Sequence, residues 1–133
     1  MNKDIEFPSV KNVIVAVIPD NEDLQSPWKV YLINTGSTII SNVMVTSTGF
    51  GKLKDEMQKT STLRYSFTEI KGNGFEQIEL IDPSVFHLNN EYWISFWIDD
   101  KLFDKRYLFV PDSLSEQHFT EIPVIGEKGI LHE

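Results

Sequence analysis

The segment Glu91–Asp100, EYWISFWIDD, has the alternating pattern of a β-strand with large side chains on both faces. A strand directs successive side chains to opposite sides. One side of this segment carries Tyr92, Ile94, Phe96 and Ile98. The other side carries Trp93, Ser95 and Trp97. The pattern predicts that one set lines a core, and that the other is either buried as well or displays two tryptophans for another surface to cover.

Six further segments are apolar or alternating runs bounded by turn residues, and they predict strands over 12–18, 28–34, 39–46, 62–70, 75–81 and 102–110. Gly72-Asn73-Gly74 is the clearest tight turn, because glycine and asparagine adopt positive φ at low cost. The polar stretch Lys52–Thr60 has no sustained apolar stripe and is predicted to be a loop. No segment keeps helical periodicity over about ten residues, so the predicted class is all-β.

Seven short strands within about 100 residues favour two packed antiparallel sheets, since each strand has one face to bury. We expect a single domain over residues 1–133, with a core sandwich at about 10–111 and a C-terminal extension at 112–133. The extension carries Phe119, Ile122, Val124 and Ile125. These side chains are too apolar for a free tail, so we expect the extension to pack on the domain or on a partner.

Two stretches resemble parts of immunoglobulin-like domains. The segment Val30–Val45, VYLINTGSTIISNVMV, is similar to the B–C hairpin of bacterial immunoglobulin-like modules, where a strand ends in Asn-x-Gly and the next opens with Asn-Val-x-Val. The segment Leu80–Ile98 is similar to the E–F corner of fibronectin type III domains, where a tyrosine, here Tyr92, bonds back to the loop backbone. The resemblance implies a seven-stranded immunoglobulin-like sandwich, with strands C, F and G in one sheet and A, B and E in the other. It leaves open whether 62–70 is strand D or a C′ strand beside C, and it implies no particular function.

With Tyr92 facing the core, the outer face of the C–F–G sheet is predicted to carry an apolar patch. Its candidate binding residues are Trp93, Trp97, Arg106, Leu108, Leu102 and Met44. Tryptophan and arginine are residues that protein interfaces favour. Two alternatives stay open: the C-terminal extension covers the patch within one chain, or sugar rings stack on the two tryptophans.

The charge balance argues against two classes of partner. The 133 residues include 12 basic and 20 acidic side chains, a net charge of −8. The densest basic stretches, Lys52–Lys59 and Lys101–Arg106, also contain acidic residues, so we expect no binding to nucleic acid or to anionic lipid. The longest apolar run, Val13–Ile18, is far shorter than the roughly 20 residues that cross a bilayer. With no leader pattern and no cysteine, the expected location is the cytoplasm, although a secreted domain trimmed of its leader would have the same sequence.

No residue set has a catalytic or metal-binding pattern. The acidic residues at Asp20–Asp23 and around Asp99, Asp100 and Asp104 lack the spacing of a calcium loop and are predicted to be solvated turns. The histidines are far apart and there is no cysteine, which argues against zinc. His87 accompanies no Gly-x-Ser-x-Gly elbow and is predicted to have a surface or packing role. We therefore expect no enzyme activity, no cofactor and no metal.

The sequence thus predicts a non-enzymatic protein-interaction or self-association module, with a second copy or another protein as its partner. One alternative is a carbohydrate-binding module that uses the same tryptophans. The other is an accessory domain of an enzyme complex.

Overall fold

Ten β-strands build residues 10–133, the part of the chain that the computed structural model describes. They are β1 (Val13–Pro19), β2 (Trp28–Asn34), β3 (Ile40–Leu53), β4 (Glu56–Lys59), β5 (Leu63–Ile70), β6 (Gly74–Ile81), β7 (Asn89–Ile98), β8 (Lys101–Phe109), β9 (Thr120–Glu121) and β10 (Lys128–His132). Short 3-10 helices, Pro83–Val85 and Glu116–His118, precede β7 and β9. Within this part of the chain, no helix has the length and hydropathy needed to span a membrane.

The strands form two antiparallel sheets of five strands each. In sheet 1 the order is β6-β2-β1-β10-β9. In sheet 2 the order is β4-β3-β7-β8, and β5 pairs with β3 on the same edge as β4. The length of β3 allows this, because Phe50–Leu53 pairs with β4 and Ile40–Ser47 pairs with β5. The prediction of an all-β fold with two antiparallel sheets is confirmed.

The main core lies between the two sheets. Sheet 1 contributes Val13, Val15, Val17, Trp28, Val30 and Leu32, none of them more than 2% exposed. Sheet 2 contributes Val43, Val45, Tyr92, Ile94, Phe96 and Tyr107, none of them more than 1% exposed. The predicted inward set of β7 is therefore confirmed for its first three members, and Ile98 packs against the same core while half-buried.

Trp28 joins three parts of the chain within this core. Its indole N–H donates to the carbonyl oxygen of Leu24 at 3.0 Å. Its ring packs edge-on against Phe86 and Phe119, with centroid distances of 5.0 and 5.6 Å. Such edge-to-face contacts stabilise aromatic pairs beyond the area they bury. Trp28 thereby holds the turn before β2, the loop before β7 and the C-terminal segment in one cluster.

The C-terminal segment belongs to sheet 1 and covers its outer face. β10 pairs with β1 from Val15↔His132 to Val17↔Ile130. A second apolar cluster forms on the side of sheet 1 away from sheet 2, and its members are Ile14, Ala16, Ile18, Tyr31, Ile33 and Ile122, with Ile125 and Leu131 packed against them. Ile122 is fully buried there. β1 is therefore covered on both faces. The extension packs on the domain, which was one of the two positions predicted for it.

The structure has three strands that the sequence pattern did not predict. The prediction of a loop over Lys52–Thr60 is wrong, because β3 runs on to Leu53 and β4 returns beside it. Lys54 and Asp55 form the connection with φ values of 51° and 64°, the left-handed conformation that two-residue hairpin turns require. The other two strands, β9 and β10, lie in the extension.

Replacement of Ile122 by alanine should test how far the covered outer face stabilises the domain. We expect Ile122→Ala to lower the free energy of unfolding by about 2–5 kcal/mol, because it leaves a cavity over β1. Val110→Ala, at a side chain that is 51% exposed, is the matched control and should change it by no more than about 0.5 kcal/mol. Urea unfolding followed by circular dichroism measures both, and equal effects would contradict a structural role for Ile122.

Candidate functional site

The outer face of sheet 2 brings together all six residues that the sequence singled out. On β7, Trp93 lies between Thr46 of β3 and Arg106 of β8 in the strand register. One step along the sheet, Ser95 lies between Met44 and Asp104. At the next step Trp97 pairs with Leu102, and at the opposite end Glu91 pairs with Leu108. We call the surface formed by Met44, Trp93, Trp97, Leu102, Arg106 and Leu108 the aromatic face.

The aromatic face is open in the described part of the chain. Met44, Leu102 and Trp93 are 61%, 54% and 46% exposed, although they are large apolar side chains. Trp97 and Leu108 are half-buried. The C-terminal segment, which was one predicted cover for this face, packs on sheet 1 instead. Among residues 10–133, no segment shields Met44, Leu102 and Trp93 from solvent.

Charged side chains on the aromatic face nearly balance one another. The Arg106 side chain is paired with the carboxylate of Glu91. Asp104 accepts a hydrogen bond from the Ser95 hydroxyl. On β5, Arg64 lies in the same row as Trp93, and Glu69 lies in the same row as Trp97. In the rows from Glu91 to Trp97, two positive and three negative groups thus share a face of a chain whose net charge is −8.

A second constellation, which the sequence did not reveal, lies between the sheets at Glu79 of β6. Its carboxylate accepts hydrogen bonds from the hydroxyls of Ser47 at 2.7 Å, Tyr65 at 2.6 Å and Tyr92 at 2.7 Å. The donors lie on β3, β5 and β7 of sheet 2, so this one carboxylate of sheet 1 links the two sheets. Hydrogen bonds to an ionised acceptor are stronger than neutral ones. We call these four residues the Glu79 cluster.

The two phenols of the Glu79 cluster are held in the protonated form. Burial raises the pKa of Tyr92 well above its ordinary value, and the negative charge of Glu79 raises it further. Burial and then the hydrogen bond to Glu79 raise the pKa of Tyr65 to about 12. Both hydroxyls therefore act as hydrogen-bond donors at neutral pH.

The pairing of β6 with β2 explains why Glu79 faces the interior. Since Val30 faces the core, its partner Glu79 does as well, on the same side of β6 as the buried Ile81. The register then runs from Val30↔Glu79 to Tyr31↔Gln77, so that Ile78 is an extra residue on β6 and also reaches the core. The alternation of residues 75–81 does not indicate which face of the strand meets the core, which is why the cluster was missed.

The role that the resemblance implied for Tyr92 needs correction. Its hydroxyl bonds to the side chain of Glu79 and not to the backbone of the preceding loop. Asn90, two residues earlier, makes the loop contact: its amide donates to the carbonyl oxygens of Val85 at 3.1 Å and Leu88 at 3.3 Å. The loop before β7 is thus anchored by the side-chain amide of Asn90 and not, as the resemblance implied, by the hydroxyl of Tyr92.

The acidic turns and the histidines have local roles. Asn21 accepts hydrogen bonds from the Asp23 amide and the Ser26 hydroxyl, and Asp20 is paired with Lys29 at 2.8 Å. His87 contacts the side chain of Gln58 at 3.0 Å on the surface. In the described residues, no group of three or more histidine, aspartate or glutamate side chains is close enough to hold a metal ion.

Comparison with protein-family models, with curated proteins and with solved structures gives no match for this chain. The interpretation of the aromatic face therefore depends on its own geometry.

A double-mutant cycle should measure the link between Tyr92 and Glu79. We expect Tyr92→Phe to lower the free energy of unfolding by about 1–3 kcal/mol, because the carboxylate loses a donor inside the protein. In a Glu79→Gln background the same change should cost less, since the acceptor has lost its charge. Urea unfolding of the four variants gives the coupling energy, and strict additivity would show that the two groups do not interact.

The raised pKa values of the phenols predict how stability depends on alkaline pH. A folded-state pKa above the unfolded one means that the stabilisation is complete below about pH 10 and is lost as the pH rises toward the folded-state value. We expect the free energy of unfolding to fall between pH 10 and about 12, where Tyr65 titrates in the folded state. Tyr65→Phe should reduce this slope, whereas Tyr31→Phe, which lies outside the Glu79 cluster, should preserve it. A slope that Tyr65→Phe leaves intact would contradict the assignment.

Proposed function

We propose that this protein is a non-enzymatic self-association module with an immunoglobulin-like sandwich, and that copies of it contact one another through the aromatic face. The observation that carries this proposal is the exposure of Trp93, Met44 and Leu102 on three neighbouring strands of one sheet. Large exposed apolar patches are rare on soluble monomeric proteins, and they usually mark sites of contact with another molecule.

The strand order supports the immunoglobulin-like part of the proposal. The order β6-β2-β1 corresponds to E-B-A, and the order β3-β7-β8 corresponds to C-F-G. β5 pairs with β3, which is the position of a C′ strand and not of strand D in the other sheet. β10 and β9 then extend the first sheet beyond strand A.

Charge supports a second copy as the occupant of the aromatic face. A chain with a net charge of −8 repels its own copies over most of its surface. The aromatic face reduces this repulsion because Arg64 and Arg106 offset most of the charge of Glu69, Glu91 and Asp104. Two copies can therefore meet there with little repulsion between acidic groups. Tryptophan and arginine, both present on the face, are also the residues that dominate interface energetics.

Analytical ultracentrifugation should test this self-association directly. We expect the wild-type protein to form an assembly whose mass rises with concentration, and Trp93→Ala to weaken the contact about 30-fold, the effect of a central interface residue worth about 2 kcal/mol. Phe75→Ala is the matched control, since this aromatic is also 46% exposed but lies on β6 of the other sheet. It should leave the mass unchanged.

Three results would contradict the proposal. The first is a monomer at every concentration, and the second is an equal effect of Trp93→Ala and Phe75→Ala. The third is a shift of the Trp93 indole resonance on addition of an oligosaccharide to a monomeric protein, which would favour the carbohydrate-binding alternative.

A further inference from the structure

β8 is a long, regular edge strand that carries charged side chains but no bulge, proline or interruption. Its nine residues pair with β7 in one unbroken register, from Asn90↔Phe109 to Ile98↔Lys101. The other edges are shortened or interrupted: β9 has two residues, β6 carries the bulge, and β4 and β5 are separated by residues 60–62. Natural sheets use short strands, bulges and interruptions to prevent pairing between molecules. On β8 these three features are missing, and its protection against pairing lies only in the charges of Lys101, Asp104, Lys105 and Arg106.

The backbone of β8 has one side open for pairing. The turn from β7 has two residues, Asp99 and Asp100, so Ile98 and Lys101 form the first hydrogen-bonded pair. Alternate residues of β8 then bond to β7, and the remaining ones direct their N–H and C=O groups outward. These outward residues are Leu102, Asp104, Arg106 and Leu108. Within residues 10–133, β7 is the only strand that pairs with β8, and no turn or side-chain hydrogen bond reaches those backbone groups.

The four outward residues of one β8 strand are complementary to the same four residues of a second, antiparallel β8 strand. In an antiparallel pair of β8 strands centred on Lys105, Asp104 lies opposite Arg106 of the second copy, and Leu102 lies opposite Leu108. Both charged pairs are then attractive and both outer pairs are apolar. A shift that centres the pair on Asp104 or on Arg106 places like charges opposite each other. One register is therefore favoured.

We propose that two copies of this protein pair through β8 in the antiparallel register centred on Lys105, which joins their second sheets into one continuous sheet. This proposal rests on the proposed function in one respect only, namely that the partner of the protein is a second copy of itself. The two-fold axis of such a pair is perpendicular to the sheet, so the two aromatic faces lie side by side on the same surface. Combined with contact through the aromatic face, edge pairing leads to four copies with two kinds of two-fold contact.

Lys105 at the two-fold axis is compatible with this register. Its side chain points inward, where the amine donates to the carbonyl oxygen of Val10 at 2.8 Å and lies 5.0 Å from the centre of the Tyr107 ring. Both contacts hold the charge within its own chain. The two lysines therefore do not have to share one position at the axis.

Cysteine cross-linking tests the edge contact, because the chain contains no cysteine of its own. In the proposed register the Cα atoms of the two Lys105 residues are about 4.5 Å apart, within the range that a disulfide spans. We expect Lys105→Cys to form a disulfide-linked dimer under mild oxidation. Lys101→Cys is the control on the same strand, since the two copies of that residue would be roughly 27 Å apart, and it should remain uncross-linked.

Charge reversal tests the register. In the Lys105→Cys protein, Asp104→Arg places arginine opposite Arg106, and Arg106→Asp places aspartate opposite Asp104, so each change alone should abolish the cross-link. An equimolar mixture of the two proteins should recover it as a heterodimer, since every opposed pair is attractive again. A cross-link that survives either single reversal would overturn the proposed pairing, and circular dichroism of each variant checks that it is folded.

The outcomes separate this inference from the proposed function. A Lys105→Cys cross-link that persists after Trp93→Ala supports edge pairing even if contact through the aromatic face fails. Self-association that Trp93→Ala abolishes, without any cross-link at Lys105→Cys, overturns edge pairing and leaves the aromatic face as the contact. A monomer in every experiment overturns both.

Discussion

The rest of the structure depends on the need to cover β1 on both faces. Val13, Val15 and Val17 point toward sheet 2, while Ile14 and Ile18 point away from it. Sheet 2 buries the first set, and the C-terminal segment is needed to bury the second. That segment is thereby committed to sheet 1 and extends it by two strands. The outer face of sheet 2 is left with three large apolar side chains in solvent, which is the origin of the aromatic face.

The parts of this fold that the sequence predicted are those set by local alternation. A period of two along Glu91–Asp100 determines which side chains of β7 share a face, whatever the strand pairs with. The placement of Tyr92 and Trp93 on opposite faces follows from that period, whereas the choice of Tyr92 as the buried one depends on where sheet 1 packs. The same reasoning located the other six predicted strands, because apolar runs and turn residues are both visible along the chain.

The parts that could not be predicted depend on pairing across the chain. Glu79 reaches the interior because its partner on β2, Val30, faces sheet 2, and a bulge brings Ile78 to the same side. β4 is a polar strand whose formation depends on the hairpin turn and on the neighbouring β3, not on an apolar stripe of its own. The position of the C-terminal segment was left open because its apolar residues fit either sheet. In each case the deciding contact joins residues that are distant in sequence.

The pairing of β1 with β10 has a consequence for how this chain reaches its native state. Val15 lies opposite His132, so the first strand of the sandwich is completed by a strand more than 100 residues later in the sequence. During synthesis on the ribosome, Ile14 and Ile18 have no permanent cover until Ile122 and β10 have emerged. Contacts between such distant segments slow folding, because a long loop must close before they form. A partly synthesised chain therefore exposes apolar strands that are prone to aggregate. A chaperone would be most needed at this stage.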